Sequence, residues 1–215
     1  MMRDSDPSRP AVPTVFVVDD DVSVRESLEL LIECAGWRPA TFESALDFLS
    51  QPRLATPSCL VLDVSLPDLD GLELQKQLAE REETPIVFLT AYGNVPRTVQ
   101  AMKNGAVDFL TKPFSDEALL SALRHAIERS RIHLENEAAT RPLRDAYASL
   151  TRREREVLAL VFAGLLNKQI AGRLGISETT VKAHRGQVMR KMNATTTADL
   201  VYLTTRLGLT PEPKA

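Results

Sequence analysis

Short apolar runs alternate with amphipathic helical patterns over residues 14–130, and few folds accommodate that order. The apolar runs predict strands at Thr14–Val18, Arg38–Phe42, Cys59–Leu62, Ile86–Leu89 and Val107–Leu110. Uninterrupted apolar runs such as 15–18 are typical of parallel strands buried on both faces. Helix starts resembling capping boxes lie between the strands, at Ser23 and Asp70, and glycines stand where helices should end, at Gly36 and Gly105. Five βα units predict an α/β fold with a five-stranded, doubly wound parallel sheet.

The remainder of the chain shows helical patterns and no strand signals. A helix beginning near Ser115 carries Leu120, Ile127 and Leu134 at a seven-residue spacing, and it leads into a polar stretch that contains Pro142. Further helices are predicted from a Thr151 capping box to about Ala163, over Lys168–Leu174, from a Ser177 cap to about Met192, and over Thr197–Arg206. We therefore predict one domain over 12–130, a helical linker over 131–149 and an all-α domain over 150–209.

Charge is distributed unevenly between these parts. Residues 151–192 contain nine Lys or Arg and three Glu, a net charge of +6, so the rest of the chain carries −9 within the total of −3. A basic segment on an acidic body suggests a polyanionic partner. The chain shows neither a run long enough to span a membrane nor an apolar N-terminal leader, so we expect a cytoplasmic protein without membrane association. Cys34 and Cys59 lie in apolar segments, which predicts two buried thiols.

Polar side chains follow the predicted strands at the edge where parallel sheets bind ligands. Asp19 and Asp20 follow the first strand, Asp63 the third, Thr90 the fourth and Lys112 the fifth. Carboxylates repel one another unless a cation joins them, and hard oxygen ligands favour Mg²⁺. A carboxylate can also act as a nucleophile and form an aspartyl phosphate. The next residue, Asp21, is better explained as a helix cap.

The segment 167–191 has helix-turn-helix spacing. Ala171 is small where two helices approach, Gly175 follows where a turn needs positive φ, and Val181 lies six residues further on. On the second helix, Val181 and Val188 share one face, which leaves a basic outer face. Such a face suits the major groove of DNA.

Five motifs occur in an order that resembles a response-regulator receiver domain. They are Asp19-Asp20, Asp63 followed by Leu66-Pro67, Asp70-Gly71, Thr90-Ala91 and Lys112-Pro113-Phe114. The resemblance implies a flavodoxin-like fold in which Asp63 accepts a phosphoryl group from a sensor histidine kinase. It also implies a site where Asp20, Asp63, the main-chain carbonyl of Ser65 and, through water, Asp19 bind Mg²⁺. Lys112, Thr90, Ala91 and Phe109 would contact the phosphoryl group or switch with it.

The C-terminal segment resembles the LuxR-type helix-turn-helix, in particular at 150–158, 164–171 and 174–185. Together the two resemblances indicate the NarL/FixJ family. The segment Gly93-Asn94-Val95-Pro96 indicates that the chain is closer to the FixJ branch of that family. They imply a transcriptional regulator that is not an enzyme, binds double-stranded DNA and forms a homodimer when phosphorylated. The expected DNA-binding residues are Thr179, Thr180, Lys182, Ala183, His184, Arg185, Gln187 and Arg190.

Two alternatives remain open from the residues. A phosphatase of the haloacid-dehalogenase type would also use an aspartyl phosphate, but it needs a second Asp two residues after the nucleophile, where this chain has Ser65. A DNA-binding protein with a receiver that is never phosphorylated is the other alternative. The complete set of acids, Thr90 and Lys112 argues against it.

Overall fold

The computed structural model describes residues 11–79, 81, 83–91 and 95–209. Its elements are, in chain order, β1 Thr14–Val18, α1 Val22–Cys34, β2 Arg38–Phe42, α2 Ala45–Leu49, β3 Ser58–Asp63, α3 Gly71–Gln77, β4 Ile86–Thr90, α4 Val95–Lys103, β5 Asp108–Thr111, α5 Asp116–Ala148, α6 Arg152–Phe162, α7 Asn167–Leu174, α8 Glu178–Lys191 and α9 Thr197–Arg206. The chain divides into two compact units, the first ending at Glu135 and the second beginning at Asn136.

The first unit contains the predicted sheet. Its five strands are parallel and lie in the order β2-β1-β3-β4-β5. The chain passes from β1 to β2 on one side and returns to β3 on the other, so the carboxyl ends of β1 and β3 meet where the strand order reverses. This is the position at which doubly wound sheets bind ligands.

Both faces of the sheet are covered, as the uninterrupted apolar runs predict. In β1, Val15 and Val17 join a core with α1 and α5, whereas Phe16 and Val18 join a second core with α2 and α3. Successive side chains of a strand point to opposite faces, so a strand between two helical layers needs an apolar residue at every position. All five residues of β1 are buried.

The structure corrects two predictions for α1. The helix begins at Val22, and its N-cap is Asp21, whose carboxylate accepts a hydrogen bond from the Ser23 backbone at 2.8 Å. The capping box predicted at Ser23 is therefore wrong, because the acidic residue two positions earlier already satisfies the first turn. Cys34 is exposed, contrary to the prediction, and Cys59 is buried. Cys34 ends α1 on its solvent side, while Leu28 and Ile32 face the core.

Other predicted starts and ends agree with the structure. Asp70 caps α3 through the Leu72 backbone at 2.9 Å, and Gly36 and Gly105 have positive φ. The fifth strand is displaced by one residue from its predicted span, to Asp108–Thr111. It is an edge strand whose register is set by pairing with β4 alone.

Helix α5 is continuous from Asp116 to Ala148 and includes Pro142. Ser130, which lies between Ile127 and Leu134 of the seven-residue series, is fully buried. Its hydroxyl accepts from the Ser58 backbone at 3.0 Å and donates to the Glu83 carbonyl. Beyond it, Arg131 pairs with Glu residues three positions before and four after, a spacing that stabilises exposed helix. No helix in the described part of the chain has both the length and the hydropathy needed to cross a membrane.

The second unit contains α6 to α9, and its helices begin and end close to their predicted positions. Thr151 and Glu154 form the predicted capping box. Gly175 ends α7 with φ of +65°, in the left-handed conformation that a glycine adopts without strain. Val181 and Val188 of α8 are buried against Ile170 of α7 and the apolar face of α6.

Candidate functional site

Three carboxylates meet at the carboxyl ends of β1 and β3. Each of Asp19, Asp20 and Asp63 has an oxygen within 4.8 Å of an oxygen of the other two. Asp19 and Asp63 are buried, while Asp20 is exposed to solvent. The sequence predicted this cluster from the rule that parallel strands bring their carboxyl ends to one edge. The structure adds that β1 and β3 are neighbours, so their ends lie side by side.

Lys112, which follows β5, completes the cluster. Its Nζ donates to Oδ2 of Asp19 and to Oδ2 of Asp63, each at 2.6 Å. Burial raises the pKa of Asp19, although the hydrogen bond from Lys112 partly offsets this effect. Burial alone would lower the pKa of Lys112, but its bonds to the two carboxylates outweigh burial, so the pKa is raised. The ammonium thus neutralises part of the repulsion between two acids.

Backbone groups orient the remaining carboxylate oxygens. Oδ1 of Asp63 accepts from the Ser65 backbone at 2.8 Å, and Oδ1 of Asp19 accepts from the Asp21 backbone at 3.0 Å. Asp21 itself serves as the cap of α1, as its sequence context indicated. Both carboxylate oxygens of Asp63 therefore have a donor, and the residue remains 7% accessible to solvent.

Thr90 and Phe109 lie on the neighbouring strands. Thr90 ends β4 and is buried, and its carbonyl accepts from the Lys112 backbone at 2.7 Å; Ala91, the next residue, is exposed. The Phe109 ring is half-buried, with its centroid 5.9 Å from that of Phe88. Gly93 and Asn94 lie outside the described residues. The structure thus places Thr90, Lys112 and the acids at one edge of the sheet.

The donor set fits a hard divalent cation. Three carboxylates of close spacing offer only oxygen ligands, and the exposure of Asp20 leaves a side of the cluster open to water. Mg²⁺ binds such oxygens and retains several waters.

Two residues that contact this site, Arg25 and Gly71, were not among the predicted site residues. Arg25 of α1 donates from Nη1 to the main-chain carbonyl of Asp19 at 2.7 Å. Gly71 begins α3 against the strand that carries Asp63, so closely that a Cβ would lie 2.6 Å from the carbonyl oxygen of Asp63. The Asp70-Gly71 motif marked Gly71, but nothing in the spacing of Arg25 indicated a contact with Asp19.

Helix α8 carries the second candidate site. The outer face predicted for it is exposed at five positions, and three others are half-buried. The exposed residues are Thr179, Thr180, Lys182, Ala183 and Arg190, and the half-buried residues are His184, Arg185 and Gln187. The first group presents two cations and two hydroxyls on one helix surface, which suits contacts to phosphates and base edges.

Arg185 differs from the other cations of α8. Its guanidinium donates to Oδ1 of Asn167 at 2.8 Å and to Oγ1 of Thr197 at 3.0 Å. These bonds join α8 to the start of α7 and of α9. The side chain predicted to contact DNA therefore also holds the helices of its own unit together.

Comparison with known proteins finds a family match for each of the two parts of the chain. Residues 15–124 match the response regulator receiver domain, and residues 148–204 match the bacterial regulatory proteins of the luxR family. Nodulation protein W of Bradyrhizobium diazoefficiens is 46% identical over 196 residues, 91% of this chain and 86% of that protein. Among solved structures, response regulator StyR is 48% identical, with a TM-score of 0.71 over 91% of this chain and 100% of StyR. Full-length FixJ from B. japonicum is 41% identical, with a TM-score of 0.54 over 91% of this chain and 97% of FixJ.

The fold and the two matches define a receiver domain joined to a LuxR-type DNA-binding domain. The chain belongs to the NarL/FixJ family of response regulators, and it is a DNA-binding transcriptional regulator.

Proposed function

We propose that Asp63 is the phosphoryl acceptor and that its phosphorylation by a sensor histidine kinase controls DNA binding. The observation that carries this proposal is the pair of 2.6 Å contacts by which Lys112 joins Asp63 to Asp19. A carboxylate beside an ammonium and two further acids suits phosphoryl transfer, which depends mainly on positioning and charge neutralisation.

In the proposed reaction, a carboxylate oxygen of Asp63 attacks the phosphorus of a protonated phosphohistidine. A P–O bond forms, the P–N bond breaks and the imidazole leaves as neutral histidine. Lys112 donates to a phosphoryl oxygen, and the Ser65 backbone orients the carboxylate. Asp20, Asp63, the Ser65 carbonyl and, through water, Asp19 would hold Mg²⁺. A metal held by these residues would supply positive charge for the transferred group.

We further propose that the switch includes Thr90, Ala91 and Phe109 and that it favours a homodimer. Helix α4 supports the second part, because Val95, Val99 and Met102 are exposed on it, with accessible fractions of 72%, 45% and 44%. These positions recur at helical spacing and form one apolar stripe. A second copy of the chain could bury this stripe, and two copies could bind two DNA half-sites.

The outer face of α8 would enter the major groove. We propose that DNA is contacted by the side chains of this face, namely Thr179, Thr180, Lys182, Ala183, His184, Gln187 and Arg190. Arg185 would contact DNA as well, while its bonds to Asn167 and Thr197 hold the helices together. We also retain domain limits of 12–130 and 150–209, joined by a linker over 131–149. The proposed site of action is the cytoplasm, where the DNA target lies.

An enzymatic phosphatase function is less well supported. The residue two after Asp63 is Ser65, whose exposed side chain cannot replace the missing acid. A receiver that is never phosphorylated is disfavoured by the intact contacts among Asp19, Asp63 and Lys112.

The test uses the full chain, Mg²⁺ and acetyl phosphate as the phosphodonor. Intact mass, sedimentation and affinity for a pool of random-sequence DNA duplexes are recorded together. Asp63→Asn is compared with Asp68→Asn, which makes the same change at an exposed residue five positions away. We expect one phosphoryl group, dimer formation and tighter DNA binding in the wild type and in Asp68→Asn. The same added mass on Asp63→Asn would contradict the assignment, and unchanged DNA affinity after phosphorylation would contradict the proposed switch.

A further inference from the structure

Arg25 has a contact that the proposed reaction does not yet explain. It closes the first turn of α1, where its own backbone donates to the Asp21 carbonyl at 3.1 Å. Its side chain turns back past the start of the helix, and Nη1 donates to the Asp19 carbonyl at 2.7 Å. A charged donor at this distance makes a strong hydrogen bond. The contact therefore ties the first helix to the end of β1, where the acidic cluster begins.

The Asp19 carbonyl belongs to the peptide group that leads into Asp20. The Asp19 side chain is already held by Lys112 and by the Asp21 backbone, and it is 1% exposed. Asp20, in contrast, is exposed to solvent. Because a peptide group is planar, a bond that fixes its carbonyl also restricts the direction in which the next residue starts. Arg25 thus restrains the exposed acid of the cluster through the backbone.

We propose that Arg25 is a positioning residue that holds the Asp20 carboxylate in place for a divalent cation. This inference rests on the proposed function, because it assumes that the cluster binds Mg²⁺. Groups that orient metal ligands without touching the metal commonly change metal affinity by about 10- to 100-fold when they are removed. Arg25 would contribute in this way through its bond to the backbone.

The direction in which metal affinity changes when Arg25 is removed distinguishes a positioning role from simple electrostatics. A guanidinium near the cluster repels a divalent cation, so charge alone predicts that removing Arg25 tightens metal binding. Positioning predicts the opposite, because a mobile Asp20 must be ordered when the metal binds. A purely structural role predicts lower stability of the fold with unchanged metal affinity.

The experiment titrates Mn²⁺, as a paramagnetic substitute for Mg²⁺, into the full chain and measures the free ion by electron paramagnetic resonance. Arg25→Met removes the donor, and Arg25→Lys keeps a charged donor. Arg129→Met is the matched control, because Arg129 likewise donates to a main-chain carbonyl, that of Gly105, at 3.0 Å. Thermal unfolding of every variant is measured without metal.

We expect Arg25→Met to weaken Mn²⁺ binding by about 10-fold or more, Arg25→Lys to recover part of the loss, and Arg129→Met to bind as the wild type does. Tighter or unchanged Mn²⁺ binding by Arg25→Met would overturn the proposal, as would an equal loss in Arg129→Met. Absence of Mn²⁺ binding by the wild type would instead contradict the proposed metal site itself, so the two failures are distinguishable.

Discussion

Replacing Gly71 by alanine should destabilise the first unit and slow phosphorylation of Asp63. Gly71 is buried at the start of α3, and its backbone donates to the Val64 carbonyl at 3.0 Å. An added Cβ would lie 2.6 Å from the Asp63 carbonyl oxygen, 3.1 Å from Cα of Val64 and 3.3 Å from Cε1 of Phe88. Since two of these contacts are with backbone, the strain cannot be relieved by rotating a side chain.

The size of the effect follows from these distances. Carbon and carbonyl oxygen ordinarily approach to about 3.3 Å, so the start of α3 or the end of β3 must move by roughly 0.7 Å. Overpacking of this kind costs about 1–3 kcal/mol, and the helix preference of alanine over glycine recovers at most about 1 kcal/mol. A net loss of about 1–2 kcal/mol corresponds to a Tm lower by roughly 4–8 °C for a unit of about 120 residues.

The assay combines thermal unfolding with the rate of phosphorylation by acetyl phosphate. Gly172→Ala is the matched control, because Gly172 is exposed in α7 and a Cβ added to it would extend into open space. This control should gain up to about 1 kcal/mol of stability. If Gly71→Ala proved as stable as the wild type and accepted the phosphoryl group at the same rate, the argument from close approach would be refuted.

Three further predictions concern other parts of the molecule. Ser130→Ala should cost about 1–3 kcal/mol, measured by denaturant unfolding, because it leaves two buried backbone groups without partners. The hydrogen bond from Lys191 lowers the pKa of Glu154 in the folded protein. The ionised Glu154 therefore stabilises the fold above pH 4.5, and this stabilisation is lost as the pH falls through the lowered pKa. In Glu154→Gln, the free energy of unfolding should depend less on pH in this range. Lys182→Ala should weaken binding to all DNA sequences and reduce the slope of log affinity against log salt concentration by about 1, measured by binding titrations at several salt concentrations. Weaker binding confined to one sequence would indicate that Lys182 contacts a base instead of a phosphate.

Local signals were sufficient for most elements of the fold. The apolar runs predicted the buried strands, because a parallel strand between two layers needs apolar residues on both faces. Thr151 and Gly175 marked helix ends through hydrogen bonds and φ values that depend on their immediate neighbours. The cluster of Asp19, Asp63 and Lys112 was also predictable, because parallel strands bring their carboxyl ends to one edge.

Contacts between distant segments could not be read from spacing. The exposure of Cys34 and the burial of Ser130 depend on which side of a helix the sheet covers. The approach of Gly71 to Asp63 and the bond from Arg25 to the Asp19 carbonyl arise from the tertiary placement of α3 and α1. The sequence by itself therefore determined the order of elements and the acids at the strand ends, since both follow from local periodicity. Only the tertiary structure decided the main-chain contacts of those acids, because Arg25 and Gly71 approach the backbone of Asp19 and Asp63 from helices whose spacing carries no local signature of the contact.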